Sequence, residues 1–476
     1  MSIIPISNDH VSLNWETVQA YAETCITRSM VVYPESIEGC IGVVDYCKKE
    51  GLTICPKGAG FSYGDMILND QQVILDTSRM NRIIRWGDET GLMVVEPGVR
   101  FADIFKAALL SNWTLDSCPG GMEVTIGGAV SNNVHGKDSW KNGNFGDQVL
   151  EFKLLTAKGD ILSVNRESNK NLFKATVGGM GMMGVIVEVT LQLKRVPSAF
   201  VEVSSFSVMN IEESLEILEK TRDNSDFSVA WVDAFADGSS IGRGFVATAK
   251  WIDAEIDLHE QRLADSLNIP TRIFGLLPAR PVWFLARPVF RPWAIKYINK
   301  LNFYTSKLRN SSNNPTGESM LFTEYNFMHN KIPDLKHVYR PQGFLEFQPL
   351  IPRTGGVNAI KELLRLCKYY KCQSLLCGLK LHKADDYNIS YSGDGYSVGV
   401  DIQIAGRDRD NIRQFADAIF NYTLDCGGKV YLAKDELLSR EAFIKMYPGV
   451  REFLQTKNEI DPSGVFQSDM YRRLLK

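Results

Sequence analysis

The chain has 476 residues, of which 44% are hydrophobic and 23% are charged, and it carries a net charge of −3 at pH 7. This length allows two or three domains with sizeable cores, and the composition is that of an ordinary globular protein. The nearly balanced charge gives no overall drive toward polyanions. We therefore expect no nucleic-acid partner.

The nine cysteines include no Cys-x-x-Cys pair. Their scattered positions favour reduced thiols in a cytoplasmic protein over a disulfide framework. No His and Cys cluster has the spacing of metal ligands, so we expect no metal site. The N-terminal residues lack the pattern of a signal peptide, and the chain lacks an apolar run of about 18 residues that could span a membrane.

Residues 34–197 alternate between helix and strand patterns. A helix is predicted to begin after Ser36 and to end at Gly51, and a second one to cover Phe101–Leu110. Short apolar runs predict strands at Leu52–Cys55, Val73–Leu75, Leu92–Val95, Trp113–Leu115, Phe152–Thr156, Ile161–Val164 and Val185–Leu193.

Two glycine-rich segments follow predicted strands. The first loop is Lys57–Asp65, and the second loop runs from Pro119 to Lys137. Glycines after a strand let the backbone approach an anionic ligand closely and point successive N–H groups at it. Two such loops in one domain predict a ligand with a long phosphate-bearing body that is held from two sides, such as a dinucleotide.

Residues Gly179–Gly184 match the G-x-G-x-x-G pattern literally. In a nucleotide-binding βαβ unit this pattern follows a strand and begins a helix. Here it follows a helical stretch and begins the predicted strand Val185–Leu193. We therefore reject an NAD-type Rossmann domain and interpret the segment as a tight glycine turn beside a cofactor.

Residues 198–428 carry longer alternating patterns. Strands are predicted at Ser228–Trp231, Phe344–Pro349, Ser374–Leu381 and Ser397–Ile404, and helices near 211–221, 356–369 and 408–425. This pattern is typical of an antiparallel sheet covered by helices on one side. Residues 429–476 return to short mixed segments.

The stretch 272–309 differs from the rest of the chain. No acidic residue lies between Asp265 and Glu318, whereas eight basic residues alternate there with aromatic and aliphatic ones. Its prolines predict that no long regular helix forms. Two interpretations remain open: a surface loop whose arginine stems cover apolar neighbours, or a patch that rests on a membrane surface or a lipid tail.

With these motifs in place, the chain resembles the FAD-linked oxidoreductases of the vanillyl-alcohol-oxidase type, and within them the decaprenylphosphoryl-β-D-ribose 2-oxidase family. The match covers nearly the whole chain and is densest at Lys57–Asp65, Gly127–Gly146, Ala175–Ile186 and Gly427–Asp435. The resemblance implies an α+β fold. Its two-lobed FAD-binding domain is residues 1–197 joined by the C-terminal segment 429–476, with an antiparallel-sheet substrate domain, 198–428, inserted between.

The resemblance also implies which residues contact FAD. They lie in the two loops, on the strand after the glycine turn and in the C-terminal segment: Lys57, Gly58, Ala59, Gly60, Phe61, Ser62, Tyr63, Gly64, Pro119, Gly120, Thr125, Gly127, Gly128, Asn132, His135, Gly136, Ile186 and Tyr431. Many relatives attach the flavin covalently through a first-loop histidine. This chain has Phe61 there, and Cys118 is the only cysteine near the second loop, so we predict non-covalent FAD.

The implied reaction is oxidation of a secondary sugar hydroxyl to a keto sugar, with FAD as the redox group. Lys434 is implied to stabilise the reduced flavin and to bind a substrate oxygen. Tyr63 is placed near the flavin, and Gln348 and Lys380 are placed in the substrate pocket.

Strand periodicity puts Glu346 on the same face as Gln348, and His382 on the same face as Lys380. We expect His382 to be solvated. The general base is open between Glu346, Lys434 and solvent.

Three positions depart from the family pattern. Glu346 stands where members often have glutamine, Gly399 where mycobacterial members have cysteine, and Phe61 where the pyrophosphate loop has an arginine. These changes enlarge and recharge the pocket wall.

The expected function is oxidation of a polyprenyl-phosphate-linked pentose as the first half of an epimerisation, with a separate NAD-dependent keto-sugar reductase as partner. Such a substrate would bring the protein to the inner face of the plasma membrane, through residues 272–309. The alternatives are an oxidase of a soluble polyol, aldonolactone or nucleotide sugar, and a flavin-binding subunit without catalysis.

Overall fold

The computed structural model describes residues 2–5, 10–254, 256–273, 276–287, 290–309, 317–332 and 334–476. Three sheets organise this part of the chain, two of them with five strands and one with nine. Helices pack on the sheets in a mixed architecture, and the predicted α+β class is confirmed.

The first sheet contains the strand that leads into the first glycine loop. Its strands in spatial order are Ser2–Pro5, His10–Gln19, Ile26–Val32, Val73–Asp76 and Ile54–Lys57, and the last three run parallel. The crossover between two of them is the helix Ile37–Glu50. The hydroxyl of Ser36 accepts from the Gly39 N–H at 3.0 Å, and Gly51 ends the helix in the left-handed region, as predicted.

The second sheet is antiparallel throughout. Its order is Ile161–Asn165, Val149–Leu155, Val185–Gln192, Leu92–Val95 and Ile83–Gly87. The helices of this region are Phe101–Ala108, Ile126–Asn132, Ser139–Asn142 and Lys170–Thr176. The literal G-x-G-x-x-G match lies between Lys170–Thr176 and Val185–Gln192, so it follows a helix and begins a strand, as predicted.

The nine-stranded sheet is also antiparallel. Its order is Glu318–Leu321, Phe200–Val208, Gly244–Trp251, Phe227–Val232, Cys377–His382, Gly395–Gln403, Pro349–Pro352 and Lys429–Val430, with Phe344–Phe347 as a further partner of Gly395–Gln403. The helices Ile211–Thr221, Gly356–Tyr369 and Arg409–Asp425 pack on it through buried apolar faces.

Two predictions about local structure are wrong. The expected strand Phe344–Pro349 is two strands, because the ladder is interrupted at Gln348, whose carbonyl accepts from the Tyr431 N–H at 3.1 Å. The stretch 272–309 contains a regular 18-residue helix, Pro292–Arg309. A proline at the first helical position loses no hydrogen bond, since that N–H has no partner within the helix.

The other elements are short. The remaining helices are Glu260–Ser266, Ala279–Ala286 and Phe322–Asn326, and the remaining strand pairs are Trp113–Thr114 with Lys194–Arg195 and Arg272–Ile273 with Leu277–Pro278. Within the described ranges, no helix has the length and apolar character needed to cross a bilayer.

The C-terminal segment folds back onto the first glycine loop. Its helices are Arg440–Met446, Val450–Ile460 and Asp469–Leu475. The guanidinium of Arg473 donates to both carboxylate oxygens of Asp65, at 2.8 and 2.9 Å, and to Asp435 at 3.0 Å. This clamp holds residues from the two ends of the chain together beside the loop.

Candidate functional site

The first glycine loop is fixed at its start by an ion pair. The ammonium of Lys57 lies 2.5 Å from the Asp76 carboxylate, at the end of the neighbouring parallel strand. A Cβ on Gly58 would lie only 2.1 Å from the Thr125 hydroxyl oxygen. Gly60 has a φ of +78°, which favours glycine. The first loop therefore touches the second loop at a position where no side chain fits.

The end of the first loop rests on the C-terminal segment. The N–H of Tyr63 donates to the Ala433 carbonyl at 2.8 Å, and a Cβ on Gly64 would lie 2.2 Å from the Asp435 carbonyl oxygen. Between these residues and Gly60, Ser62 is buried and the Phe61 ring is stacked on Tyr21 at 5.2 Å.

The second loop leads into the helix Ile126–Asn132. The N–H of Gly127 donates to the Pro97 carbonyl at 2.8 Å, and a Cβ there would lie 2.7 Å from the Pro97 Cβ. At Gly128 a Cβ would lie 3.2 Å from the Thr125 hydroxyl. These approaches bring the start of the helix against its neighbours.

Hydrogen bonds also involve this helix and the residues on either side of it. The amide of Asn132 donates to the Gly128 carbonyl at 2.9 Å, while its own oxygen is buried without a partner among the described residues. The Gly136 N–H donates to Ser139 at 2.8 Å, and the Pro119 carbonyl, just before Gly120, accepts from Asn326 at 3.1 Å.

A cleft of about 560 Å³ lies where the two loops meet. Its walls are Ala59, Ser78, Asn81, Gly98, Arg100, Asp103 and Thr125. Ligand sites in proteins typically have volumes of about 300–1,000 Å³. The cleft and the unpaired Asn132 oxygen fit a bound nucleotide.

Beyond the first loop, Lys434 and Glu346 form an ion pair with 2.5 Å between the ammonium nitrogen and Oε1. The ammonium also lies 5.0 Å from the centre of the Tyr63 ring. Glu346 comes from the strand Phe344–Phe347 and Lys434 from the turn Leu432–Lys434, so the pair joins the nine-stranded sheet to the C-terminal segment. Burial, reinforced by Glu346, raises the pKa of Tyr63 well above its ordinary value.

Two glycines lie beside this pair, and Gly378 leaves open space there. Gly378 and Gly399 are directly opposite each other on adjacent strands. A Cβ on Gly399 would lie 3.2 Å from Oε1 of Glu346, whereas a Cβ on Gly378 would meet nothing within 4 Å. A substrate group could therefore approach the Glu346 carboxylate over Gly378.

His135 and Gln348 form a second polar pair. Their Nε2 atoms are 3.0 Å apart, and both side chains are buried. The His135 ring packs 5.2 Å from the Tyr431 ring and 4.9 Å from the His382 ring. Burial lowers the pKa of His135 well below its ordinary value, so the ring is neutral. Nδ1 of His135 and Oε1 of Gln348 are buried and lack hydrogen-bond partners within the described ranges.

Lys380 supplies another cation near the pair. Burial, helped by the positive charge of Lys434 and opposed by Glu346, lowers its pKa to about 8. The described residues offer its ammonium no hydrogen bond or ion pair. It is therefore available to a substrate oxygen or phosphate.

The expectation of a solvated His382 is wrong. The side chain is fully buried, its Nε2 lies 2.8 Å from the Ser397 hydroxyl, and burial lowers its pKa to about 3. Strand alternation predicted its face correctly. It could not reveal that both faces of this central strand are covered.

Two further residues that are expected to contact the cofactor, Tyr431 and Ile186, lie at the borders of the site. The hydroxyl of Tyr431 donates to the Asn132 carbonyl at 3.4 Å, which links the C-terminal segment to the second loop. Ile186 is buried in the second sheet, opposite Leu154. The cofactor contacts of both residues stay predictions.

Lys137 and Asp401 are among the buried charged residues that sequence reasoning missed. Lys137 donates to the carbonyls of Tyr325, at 2.6 Å, and Asn326, at 3.1 Å, and burial lowers its pKa to about 7. Asp401 accepts from Tyr339 at 2.6 Å, and burial raises its pKa to about 6. Asp401 could have been found as a carboxylate at the end of an apolar strand. Lys137 could have been found from its place in the His-Gly-Lys motif.

No group of three His, Cys, Asp or Glu side chains within the described ranges could hold a metal ion. All nine cysteines are free thiols. Burial raises the pKa of Cys118, beside the second loop, well above its ordinary value.

Comparison with known proteins supports the cofactor. The FAD binding domain family matches residues 29–165. The chain is 27% identical to the decaprenylphosphoryl-beta-D-ribose oxidase of Mycolicibacterium smegmatis, covering 96% of this chain and 97% of the relative. It is 24% identical to the L-gulonolactone oxidase of Bos taurus, over 92% and 93%. It is 24% identical to the D-arabinono-1,4-lactone oxidase of Eremothecium gossypii, over 48% and 41%. The resemblance inferred from the motifs is confirmed.

Proposed function

Since the chain is an FAD-dependent oxidoreductase that acts on a sugar-like substrate, we propose that it oxidises a secondary hydroxyl of a polyprenyl-phosphate-linked pentose to a keto sugar. The observation that carries this proposal is the Lys434–Glu346 ion pair, which lies beside the open space over Gly378. The similarity along almost the whole chain to an oxidase named for a decaprenylphosphoryl ribose supports the substrate class.

The two loops would hold the cofactor. Their glycines and the cleft between them suit a pyrophosphate, and Tyr431 with His135 would border the ring system. Bound FAD would supply the two-electron oxidation of the substrate, as the hydride acceptor. We propose that the attachment is non-covalent, since Phe61 offers no nucleophile and burial raises the pKa of the Cys118 thiol well above its ordinary value.

We propose that the Glu346 carboxylate accepts the proton of the substrate hydroxyl. Its carboxylate lies against Gly399, beside the open space over Gly378, and is paired with Lys434. When the carbinol C–H bond breaks, the O–H proton passes to the Glu346 carboxylate and a C=O bond forms. The Lys434 ammonium stabilises the negative charge that develops on that oxygen.

The other polar groups would bind the remaining substrate oxygens. Lys380 offers a cation, and Gln348 and His135 offer the unpaired atoms Oε1 and Nδ1. A hydroxyl-rich ligand would satisfy these atoms, each of which costs about 1–3 kcal/mol when it is buried without a partner.

A keto sugar completes an epimerisation only after reduction from the opposite face. We propose that a separate NAD-dependent reductase performs this second step. The glycine-rich match that could suggest NAD binding in this chain begins a strand rather than a helix.

A second candidate is oxidation of a soluble aldonolactone, polyol or nucleotide sugar. The similarity to L-gulonolactone oxidase over 92% of the chain favours it. In this case the same pair of residues would act on a substrate without a lipid carrier.

Anaerobic mixing of the holoenzyme with a panel of substrates tests these proposals. We expect a polyprenyl-phosphate pentose to bleach the flavin absorbance at least tenfold faster than the free pentose. Equal rates would reject the lipid carrier, and faster bleaching by a lactone would support the second candidate. Bound flavin that no sugar alcohol bleaches would instead indicate a non-catalytic subunit.

A further inference from the structure

The helix Pro292–Arg309 carries a row of exposed apolar side chains. Trp293, Tyr297, Leu301 and Tyr304 are spaced by four, four and three residues, so they lie on one face. Their exposed fractions are 63%, 67%, 66% and 47%. We call these four residues the aromatic stripe. A contiguous apolar surface of this kind, unlike isolated exposed side chains, marks an interaction site.

The opposite face of the same helix is packed against the protein. Ile295, Asn299 and Phe303 are buried, at spacings of four residues. The Asn299 amide donates to Asp233 at 3.2 Å, and the Arg243 guanidinium lies 5.4 Å from the centre of the Phe303 ring. The fold therefore holds this helix with the aromatic stripe outward.

A neighbouring segment adds to the exposed apolar surface. It comprises the helix Ala279–Ala286 and the two residues Leu276 and Leu277 before its turn. Leu276 is 75% exposed and Leu285 is 73% exposed, and Phe284 is similarly open. Two adjacent elements thus present large apolar side chains to solvent.

Basic residues accompany the aromatic stripe. Lys296, Lys300 and Lys307 are exposed on the same helix, and none of them forms an ion pair within the described ranges. No acidic residue occurs between Asp265 and Glu318, although the whole chain has a net negative charge. Unpaired cations beside exposed aromatics complement an anionic lipid surface.

The surface connects to the candidate active site through one apolar cluster. Trp283, Phe290 and Ile295 pack in the cluster that also contains Tyr63 and Phe344.

The Tyr63 and Phe344 rings are 5.4 Å apart, and the Lys434 ammonium lies over the Tyr63 ring. Packed apolar side chains therefore connect the helix Pro292–Arg309 to the surroundings of the ion pair.

We propose that the aromatic stripe and its lysines dock this protein on the surface of an anionic lipid bilayer. The tail of the substrate would then stay in the membrane while its sugar reaches the Lys434–Glu346 pair, a consequence that rests on the proposed function. The docking itself does not depend on the substrate. The helix would rest on the bilayer by its exposed face, because no helix within the described ranges is apolar enough to cross a membrane.

Vesicle co-sedimentation of the FAD-loaded protein tests the proposal. The probes are phosphatidylcholine vesicles with and without phosphatidylglycerol. We expect binding to the anionic vesicles, weakened by salt, and little binding to the neutral ones. The triple variant Trp293→Ser, Tyr297→Ser, Leu301→Ser should bind at least tenfold more weakly, and so should Lys296→Glu with Lys300→Glu.

A matched control removes exposed apolar side chains elsewhere. Trp15→Ser, Ile84→Ser and Tyr369→Ser replace residues that are 49%, 51% and 79% exposed. This variant should bind the anionic vesicles like the unaltered protein. Equal losses in both triple variants, or unaltered binding by the stripe variant, would overturn the assignment of this face.

Two further measurements separate the possible failures. The stripe variant should keep its FAD content and its rate on whichever water-soluble sugar alcohol the protein oxidises. If the unaltered protein binds vesicles but prefers free sugars, the docking stands and the lipid-linked substrate fails. If the stripe instead mediates concentration-dependent dimers in gel filtration and no vesicle binding occurs, the face is an interface between two copies and the proposal is wrong.

Discussion

Lys434 and Glu346, 88 positions apart in the sequence, meet with 2.5 Å between the ammonium and the carboxylate. Both side chains are mostly buried, so each charge depends on the other for compensation. The pair also lies beside the open space over Gly378. Substituting one residue at a time can therefore test Glu346 as the proton acceptor and Lys434 as the fixed cation.

Replacing Glu346 by glutamine tests the proton acceptor. Glu346→Gln keeps the shape and loses the basicity, and we expect flavin reduction by substrate to slow about a hundredfold. Rapid mixing under anaerobic conditions measures this rate. Family members often carry glutamine at this position. If the variant reduces its flavin at the unaltered rate, then solvent or Lys434, and not Glu346, handles the substrate proton. The matched control is Glu188→Gln, which alters a carboxylate paired with Lys153 on the second sheet.

Removing the ammonium tests the fixed cation. Lys434→Ala should retain FAD, because the two glycine loops are untouched, and should lose flavin reduction by about a hundredfold or more. FAD content after gel filtration and single-turnover reduction are the measurements. Lys153→Ala, which removes the cation of the control pair, should leave both unchanged. A Lys434→Ala protein that reduces its flavin normally would refute the role.

The sequence predicted those parts of the fold that local patterns determine. The helix that begins after Ser36 and ends at Gly51 has a side-chain cap at one end and a left-handed glycine at the other, and both are local features. The glycine turn before Val185–Gln192 was identified by its neighbours alone. The two glycine-rich loops predicted a dinucleotide, and the family resemblance implied that it is FAD.

The sequence could not show which distant polar groups meet. Nothing near Glu346 in the chain announces Lys434, and the burial of His382 depends on strands and aromatic rings from other segments. The helix at Pro292 was missed because proline was treated as a breaker without regard to its position. Tertiary packing decided the first two outcomes, whereas the start of the helix at Pro292 follows a local rule for proline.

The close approach of the second loop to Pro97 makes a prediction about cofactor affinity. A methyl group on Gly127 would lie 2.7 Å from the Pro97 Cβ, so Gly127→Ala must displace the start of the helix. We expect the affinity for FAD to fall about tenfold or more, measured by titrating apoprotein. Gly121→Ala in the same loop is the matched control, because its Cβ would meet only Val124 at an ordinary 3.7 Å. Equal affinities in the two variants would contradict the fit of the cofactor to this loop.

The state of the flavin link is tested by acid precipitation. Phe61 is a hydrocarbon ring stacked on Tyr21, and the Cys118 thiol is buried, so neither should form a bond to the flavin. We expect all yellow colour in the supernatant and the mass of the unmodified chain in the pellet. Colour that stays with the denatured protein would show a covalent link and would locate it by peptide mapping.

Lys380 gives a pH dependence of defined sign. Its pKa is lowered to about 8, mainly by burial, so the ammonium is charged below that pH and neutral above it. The charged groups that influence it or respond to it are Lys434, Glu346, Asp138, His135, His382 and Lys137.

If the Lys380 ammonium binds substrate, kcat/KM should fall as the pH rises through about 8, because this parameter reports the free enzyme. Lys380→Arg should remove that fall, since a guanidinium stays charged at these pH values. Lys380→Met should bind weakly at every pH and show no such limb. A fall near pH 8 that persists in the arginine variant would assign the titration to another group.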